Sequence, residues 1–280
     1  MKKTKPVLLA VVSDVHCGST VAVCPPKIEL DDGGVYEASK AQKWLWQGWV
    51  EFWQRVEKAR VGCDLYTVFN GDLTEGFHHH TTQIVTGNPT GQARVVDACM
   101  EVVLDTNPTK MFFVRGTSAH VGPAAAYEER IASGLFKDKR PVVKDPESGT
   151  ASWWHLPMEI QGQRLSFAHH GRMGQRPWTK HNIPALLAHQ IFMERATREL
   201  PHYHLAVRSH FHTYVDTHEV SPTRLIQTPA WQLHTEYAWK AVPENLADIG
   251  GVLIRIEDGT ATVMPHLFLP SPQPAWRAPS

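Results

Sequence analysis

The sequence has little cysteine, no surplus of either charge, no long apolar run and no internal repeat. The four cysteines among 280 residues, Cys17, Cys24, Cys63 and Cys99, form no CxxC pair and are too few for a disulfide scaffold. Reduced thiols in a cytoplasm are the expectation. Lys and Arg total 28, and Asp and Glu also total 28. A protein that grips duplex DNA ordinarily carries a basic excess, because neutralising phosphates supplies much of its affinity. Tight nonspecific duplex binding is therefore disfavoured. No apolar stretch approaches the roughly 20 residues that cross a bilayer, so no membrane partner is expected. Met1 to Val12 starts with lysines and turns apolar, yet it lacks a small-residue cleavage site and runs directly into Ser13-Asp14-Val15-His16. A first β-strand accounts for it better than a leader peptide does.

What the chain does have is histidine, 17 of them. Imidazole is a common transition-metal ligand and the usual proton-transfer group near neutral pH, so the placement of these residues matters. Hydrophobic content of 42% with 20% charge is ordinary for a globular protein with a sizeable core. Val7 to Val12 reads as a strand buried on both faces. Lys40 to Arg60 reads as a helix, with Leu45, Trp49, Trp53 and Val56 at helical spacing. Asp64 to Phe69 gives a second strand, Gln92 to Asp105 a helix, Lys110 to Val114 a third strand, and Ala124 to Ser133 a short helix. This alternation points to an α/β domain. Beyond it, Trp154 to Ile160 and Arg164 to Ala168 read as strands, Pro184 to Leu200 as a helix and Leu205 to Val207 as a strand. Tyr214 to Val220, Arg224 to Thr228 and a hairpin across Glu257-Asp258-Gly259 make the remainder β-rich, with a second sheet packed on the first.

Five times a predicted strand runs into, or lies shortly before, a turn carrying metal-ligand residue types. Asp14 and His16 follow the first strand, Asp72 the second, His120 comes shortly after the third, His169 ends a later one, and His210 with His212 the last. In α/β sheets, ligands bind beyond the carboxyl ends of the strands, where residues distant in sequence converge. Carboxylate with imidazole suits borderline divalent ions such as Mn, Fe, Zn or Ni. Two aspartates and four histidines exceed what one tetrahedral ion needs. A carboxylate such as Asp72 can bridge two ions, and a two-ion site suits in-line phosphoryl displacement.

Asp14-Val15-His16, Gly71-Asp72, Arg115-Gly116-Thr117-Ser118-Ala119-His120, His169-His170-Gly171 and Ser209-His210-Phe211-His212 resemble, in order, the motifs of the calcineurin-like metallophosphoesterase superfamily. The resemblance is closest to its phage and prophage members. It implies an α/β fold, a four-layer α-β-β-α sandwich with two mixed β-sheets, over residues 1–269, with a Pro-rich tail at 270–280. It also implies two divalent metal ions: Asp14, His16 and His212 on one, His169 and His210 on the other, and Asp72 between them. His120 would serve as general acid or charge stabiliser, with a metal-bridging hydroxide as nucleophile and a phosphate ester as substrate. A phosphodiester of a nucleotide or single-stranded nucleic acid is preferred, with a phosphomonoester or a non-catalytic scaffold of the same fold as alternatives. The third motif departs from the family's Gly-Asn-His-Asp/Glu, whose Asn is a metal ligand. The hydroxyl of Thr117 or Ser118, a water, or one of His78-His79-His80 could take its place.

Other residues keep two readings. Arg115 could neutralise a phosphate oxygen or form a structural ion pair. Thr117, His79 and His170 are candidate substrate contacts, although a histidine tract in a loop is also compatible with simple solvation. Trp153, Trp154, Trp178 and Trp231 could stack a base or pack a core. For His210 and His212, alternation along a strand would put both on one face. Oligomeric state is left open.

Overall fold

A computed structural model describes residues 4–78, 80–174, 176, 179–241, 246–271 and 275–277. Among these, the strands in chain order are β1 (Val7–Val12), a small hairpin β2 (Lys27–Glu29) and β3 (Val35–Glu37), β4 (Asp64–Asn70), β5 (Lys110–Val114) and β6 (Ser152–Trp153). Then come β7 (Leu156–Ile160), β8 (Gln163–His170), β9 (Leu205–Ser209), β10 (Val215–Asp216), β11 (Arg224–Gln227), β12 (Ile249–Glu257) and β13 (Thr260–Phe268). The helices are α1 (Lys40–Ala59), α2 (Pro89–Leu104), α3 (Ser118–Val121), α4 (Ala126–Lys137), α5 (Asn182–Thr197) and α6 (Glu236–Ala241).

Two mixed sheets form, with strand orders β13-β12-β1-β4-β5-β6 and β10-β11-β9-β8-β7. Because β1 is apolar at every position, it can be covered on both sides. Leu8, Ala10 and Val12 pack against α1 and α2, including Leu45, Trp49, Phe52, Val95 and Cys99. Val7, Leu9 and Val11 face the second sheet through Phe167, Val207 and Ile226. The far side of that sheet is covered by α5, where Ala188 meets Ala206 and Leu225. The result is the expected four-layer α-β-β-α sandwich.

The sequence sets most boundaries, and local chemistry corrects a few. α1 starts at a capping box in which Ser39 accepts from the Gln42 N–H and Gln42 accepts from the Ser39 N–H. α2 begins earlier than the apolar spacing suggests, because Asn88 caps it and Pro89 fits the first helical turn. The strand expected over Tyr214 to Val220 shrinks to Val215–Asp216, since Asp216 accepts from the His218 N–H and turns the chain. The C-terminal hairpin joins the first sheet, with β12 antiparallel to β1.

β1, β4 and β5 run parallel, so their carboxyl ends share one edge. β8 and β9 are parallel within the second sheet. A buried polar chain fastens these ends together. The Asn70 amide donates to the Ala168 carbonyl (3.2 Å) and to Ser209 Oγ (2.6 Å). Ser209 bonds Thr228 (2.8 Å), and Thr228 bonds Ser13 (2.7 Å). Buried networks of this kind favour one arrangement, and here the network ties together the edge from which the histidines project. All four cysteines are free and buried. Among the described residues no helix is long and apolar enough to cross a membrane.

Candidate metal centre

The turn after β1 is tied to the turn after β4 by backbone bonds. The Asp14 N–H donates to the Gly71 carbonyl (2.9 Å) and the His16 N–H to the Asp72 carbonyl (3.0 Å). The next loop joins through the Thr117 N–H, which donates to Asp72 Oδ1 (2.6 Å). The loop after β9 joins through the His210 N–H, which donates to Asp14 Oδ2 (3.2 Å). Four loops separated by up to two hundred residues of chain are thereby held at one point.

Backbone strain concentrates there. Asp14, His16, Asp72, His210 and His212 have φ of 50°, 48°, 56°, 82° and 52°. Non-glycine residues rarely occupy this region, and each instance costs on the order of 1–3 kcal/mol. Five of the six expected ligands share the unusual conformation; the sixth, His169, lies within β8. The strained turns aim side chains inward that an ordinary strand end would splay apart. His210 and His212 are accordingly not alternating strand residues: β9 stops at Ser209, and the two imidazoles diverge to separate donor groups. The expectation of one shared face is corrected by those positive φ angles.

Two donor triads result, Asp14–His16–His212 and Asp72–His169–His210. Asp72 also groups with His16 and His120, so it reaches both. In the first triad His16 Nε2 lies 3.2 Å from His212 Nε2, which is 3.4 Å from Asp14 Oδ1. In the second, His169 Nε2 lies 2.9 Å from Asp72 Oδ2, and it is 3.8 Å from Asp14 Oδ1. Two ligands held about 2.0–2.1 Å from one tetrahedral ion stand roughly 3.3 Å apart, which is the spacing seen here. His169 Nδ1 donates to the Asn70 carbonyl (2.8 Å), turning Nε2 toward the carboxylates. His16 Nδ1 rests against Glu75 Oε2 at 2.9 Å, a carboxylate backing a ligand histidine.

The donor set fits divalent cations. Asp14, His16, Asp72 and His169 are at most 1% exposed. Among the described residues no Lys or Arg pairs with either aspartate. Asp14 Oδ1, Asp72 Oδ2 and His169 Nε2 are buried with no hydrogen-bond partner, although His169 Nε2 and Asp72 Oδ2 are close. Buried charge requires a counter-charge or a metal. Against the penalty of burial, His169 and neighbouring imidazoles hold the carboxyls of Asp14 and Asp72 well below the usual range. Burial likewise opposes charge on His169, but Asp72 and Asp14 carry it up to about 10.

No protein-family model matches the chain, and no curated protein matches it in sequence. Among solved structures, it is similar to a dimetal phosphatase from Danio rerio, at TM-score 0.45 and 7% identity, over 94% of this chain and 96% of that one. A metallophosphoesterase from Sphaerobacter thermophilus aligns at TM-score 0.34 and 12% identity, over 94% and 89%. At such values neither says what this chain does.

The remaining candidates fall into place around the triads. His120 packs edge-on against His16 (centroids 4.5 Å) and donates through Nδ1 to the Glu75 carbonyl (2.9 Å). His170 is exposed, with Nε2 3.3 Å from Thr117 Oγ1. Arg115 is committed elsewhere, donating to Ser152 Oγ (2.9 Å), 3.6 Å from Glu129 and stacked over Trp154 (4.9 Å). Those are the contacts of its ion-pair reading. Trp153 and Trp231 lie in the core while Trp154 is 60% exposed. His79 and Trp178 lie outside the described residues.

Sequence reasoning passed over Glu75 and Glu128. Glu75, three residues after Asp72, is 3% exposed, contacts His16 and His78, and accepts from the Gln232 amide (2.9 Å). Its spacing from Asp72 was the available signal. Glu128 sits on the α4 face that buries Ala132 four residues on, and it accepts from the N–H groups of Leu73 (3.3 Å) and Gly116 (2.6 Å). Burial, with Asp72 nearby, pushes its carboxyl from 4.5 up to about 8. The native state then keeps a proton that the unfolded chain has released, so stability falls as pH rises through this window. Glu128→Gln removes the titration but also one of two acceptors, a pH-independent cost. In metal-free protein, stability measured by urea unfolding should shift toward the variant by ~1.4 kcal/mol per pH unit between 4.5 and 8. Parallel wild-type and variant profiles would refute this.

Proposed function

We propose that the chain is a two-metal phosphoesterase whose site is carried by residues 1–269. The observation that supports this most is the meeting of two carboxylate–imidazole triads, joined through Asp72 and Asp14, at one edge of the paired sheets. Asp14, His16 and His212 would hold one ion, His169 and His210 the other, with Asp72 between. Mn, Fe, Zn and Ni all suit such donors. When bound, the ion pair supplies the positive charge that binds phosphate oxygens and lowers the pKa of attacking water.

The chain's own residues do the rest. With Nδ1 engaged at the Glu75 carbonyl, His120 presents Nε2 as its working nitrogen. Burial and the neighbouring His16 push it down to about 4. A phosphate's negative charge beside it would favour the protonated, donating form. His170, exposed beside Thr117, is placed to meet a phosphate oxygen. A nucleotide or single-stranded nucleic-acid diester is the preferred substrate, a preference that rests on motif resemblance, as does the likeness to phage members. The free thiols support a reducing cytoplasm as its setting.

The test is hydrolysis of chromogenic phosphodiesters and monoesters, with and without added Mn. His120→Ala should lower kcat by about 10²–10⁴-fold while metal content stays at the wild-type level. Full turnover in that variant would remove His120 from the chemistry. Absence of metal-stimulated hydrolysis with every ester tried would favour a scaffold.

A further inference from the structure

We infer, on the two-metal reading above, that the Thr117 hydroxyl is a ligand of the second ion and completes the donor set begun by Asp72, His169 and His210. That triad offers three side-chain donors, leaving a position that a water or a fourth side chain can fill. Thr117 occupies the N-cap position of α3, where a threonine ordinarily spends its oxygen on a backbone N–H two or three residues on. Here it makes no such bond. Instead its own N–H is anchored on Asp72 Oδ1 (2.6 Å), and its Oγ1 stands 3.3 Å from His210 Nδ1 and 3.3 Å from His170 Nε2.

Both separations run from a hydroxyl oxygen to an imidazole nitrogen and lie beyond the usual length of such a hydrogen bond, about 2.9–3.0 Å. The separation from His210 matches the spacing of two ligands around one ion and falls within the 2.9–3.4 Å range inside the triads. Among the oxygens and imidazoles that the sequence offers for this role, Ser118 is exposed and His78 is turned to Glu75 and His120 instead. Thr117 contacts a carboxylate of the second triad through its backbone N–H and an imidazole of it through its hydroxyl.

A rival arrangement has the hydroxyl merely accepting an N–H from His210 and orienting that ring. Loss of affinity alone does not separate the two, but a thiol does. Full-length protein stripped with a chelator would be titrated with Co²⁺ as wild type, Thr117→Val, Thr117→Ser and Thr117→Cys. Wild type should take two ions. Thr117→Val should weaken the second by at least tenfold, and Thr117→Ser should stay within a few-fold of wild type. Thr117→Cys should gain a near-ultraviolet thiolate-to-cobalt charge-transfer band that wild type lacks, because thiolate readily ligates borderline ions. A doubly loaded Thr117→Cys protein without that band, or a Thr117→Val protein binding both ions normally, overturns the assignment and leaves the two-metal reading standing. Fewer than two ions in wild type overturns both. Serine and cysteine preserve the size and polarity of the position, so their outcome does not hinge on whether the valine variant folds.

Discussion

Asp72→Asn is expected to abolish both metal loading and turnover, with kcat/KM reduced by roughly 10³-fold or more, about 4 kcal/mol of transition-state stabilisation. The carboxylate is 1% exposed and belongs to donor groups on both sides of the site. One oxygen is fixed by the Thr117 N–H, and the other faces His169 Nε2 with no hydrogen-bond partner. An amide of the same shape keeps the packing but removes a negative charge from a place with no Lys or Arg to rearrange. It also turns a donor NH₂ toward either the Thr117 N–H or the ion. The two effects can be read separately. Metal content by elemental analysis should fall below two per chain. Saturating Mn should also stabilise the variant less than wild type, for which a ligand at 100 times its Kd adds about 2.7 kcal/mol. A variant that retained two ions and wild-type Mn stabilisation would show that Asp72 does not join the triads.

Much of this site was legible because strand ends are easy to find and residue types are conspicuous. Val7 to Val12 is a continuous apolar run and Asp64 to Phe69 a largely apolar one, so Asp14, His16 and Asp72 announce themselves as metal-ligand residue types just beyond a buried strand. His169 and His210 do the same in the second half. What stayed hidden was direction. Periodicity assigns side chains to faces only where the backbone is regular, and these ligands sit where it is not. Positive φ at His210 and His212 splits a pair that strand alternation would keep together. Glu75 and Glu128 were hidden for another reason. A glutamate reads as solvated surface unless its neighbours in space are known, and both are buried through loops and helices that meet only after folding. Thr117 shows a related limit: only the folded chain reveals that it stands at the N-cap of α3 and leaves that cap bond unmade.

Gly116→Ala should be a damaging small substitution beside Asp72. A Cβ there would fall within the radii of Asp72 Oδ1 and N, and 2.9 Å from its Cγ. The loop cannot simply back away. The Gly116 N–H is held by Glu128 (2.6 Å), the Thr117 N–H by Asp72 (2.6 Å) and the Arg115 N–H by the Trp153 carbonyl (2.8 Å). Relieving the overlap must either break one of these bonds or displace the Asp72 carboxylate. Overpacking of this kind costs about 1–3 kcal/mol and occasionally more. In metal-free protein the melting temperature should drop by roughly 3–10 °C. A shift of Asp72 by an ångström would also cost on the order of 10²-fold in kcat. Gly134→Ala supplies the control, since Gly134 lies in α4 with nothing within 4 Å of a new methyl group. There the same change should stabilise by about 0.5–1 kcal/mol, because alanine loses less backbone freedom in a helix. Opposite signs for one methyl group at two glycines would locate the constraint in the contact between Gly116 and Asp72. A Gly116→Ala protein as stable and active as wild type would mean that the loop holds Asp72 far less tightly than these bonds imply.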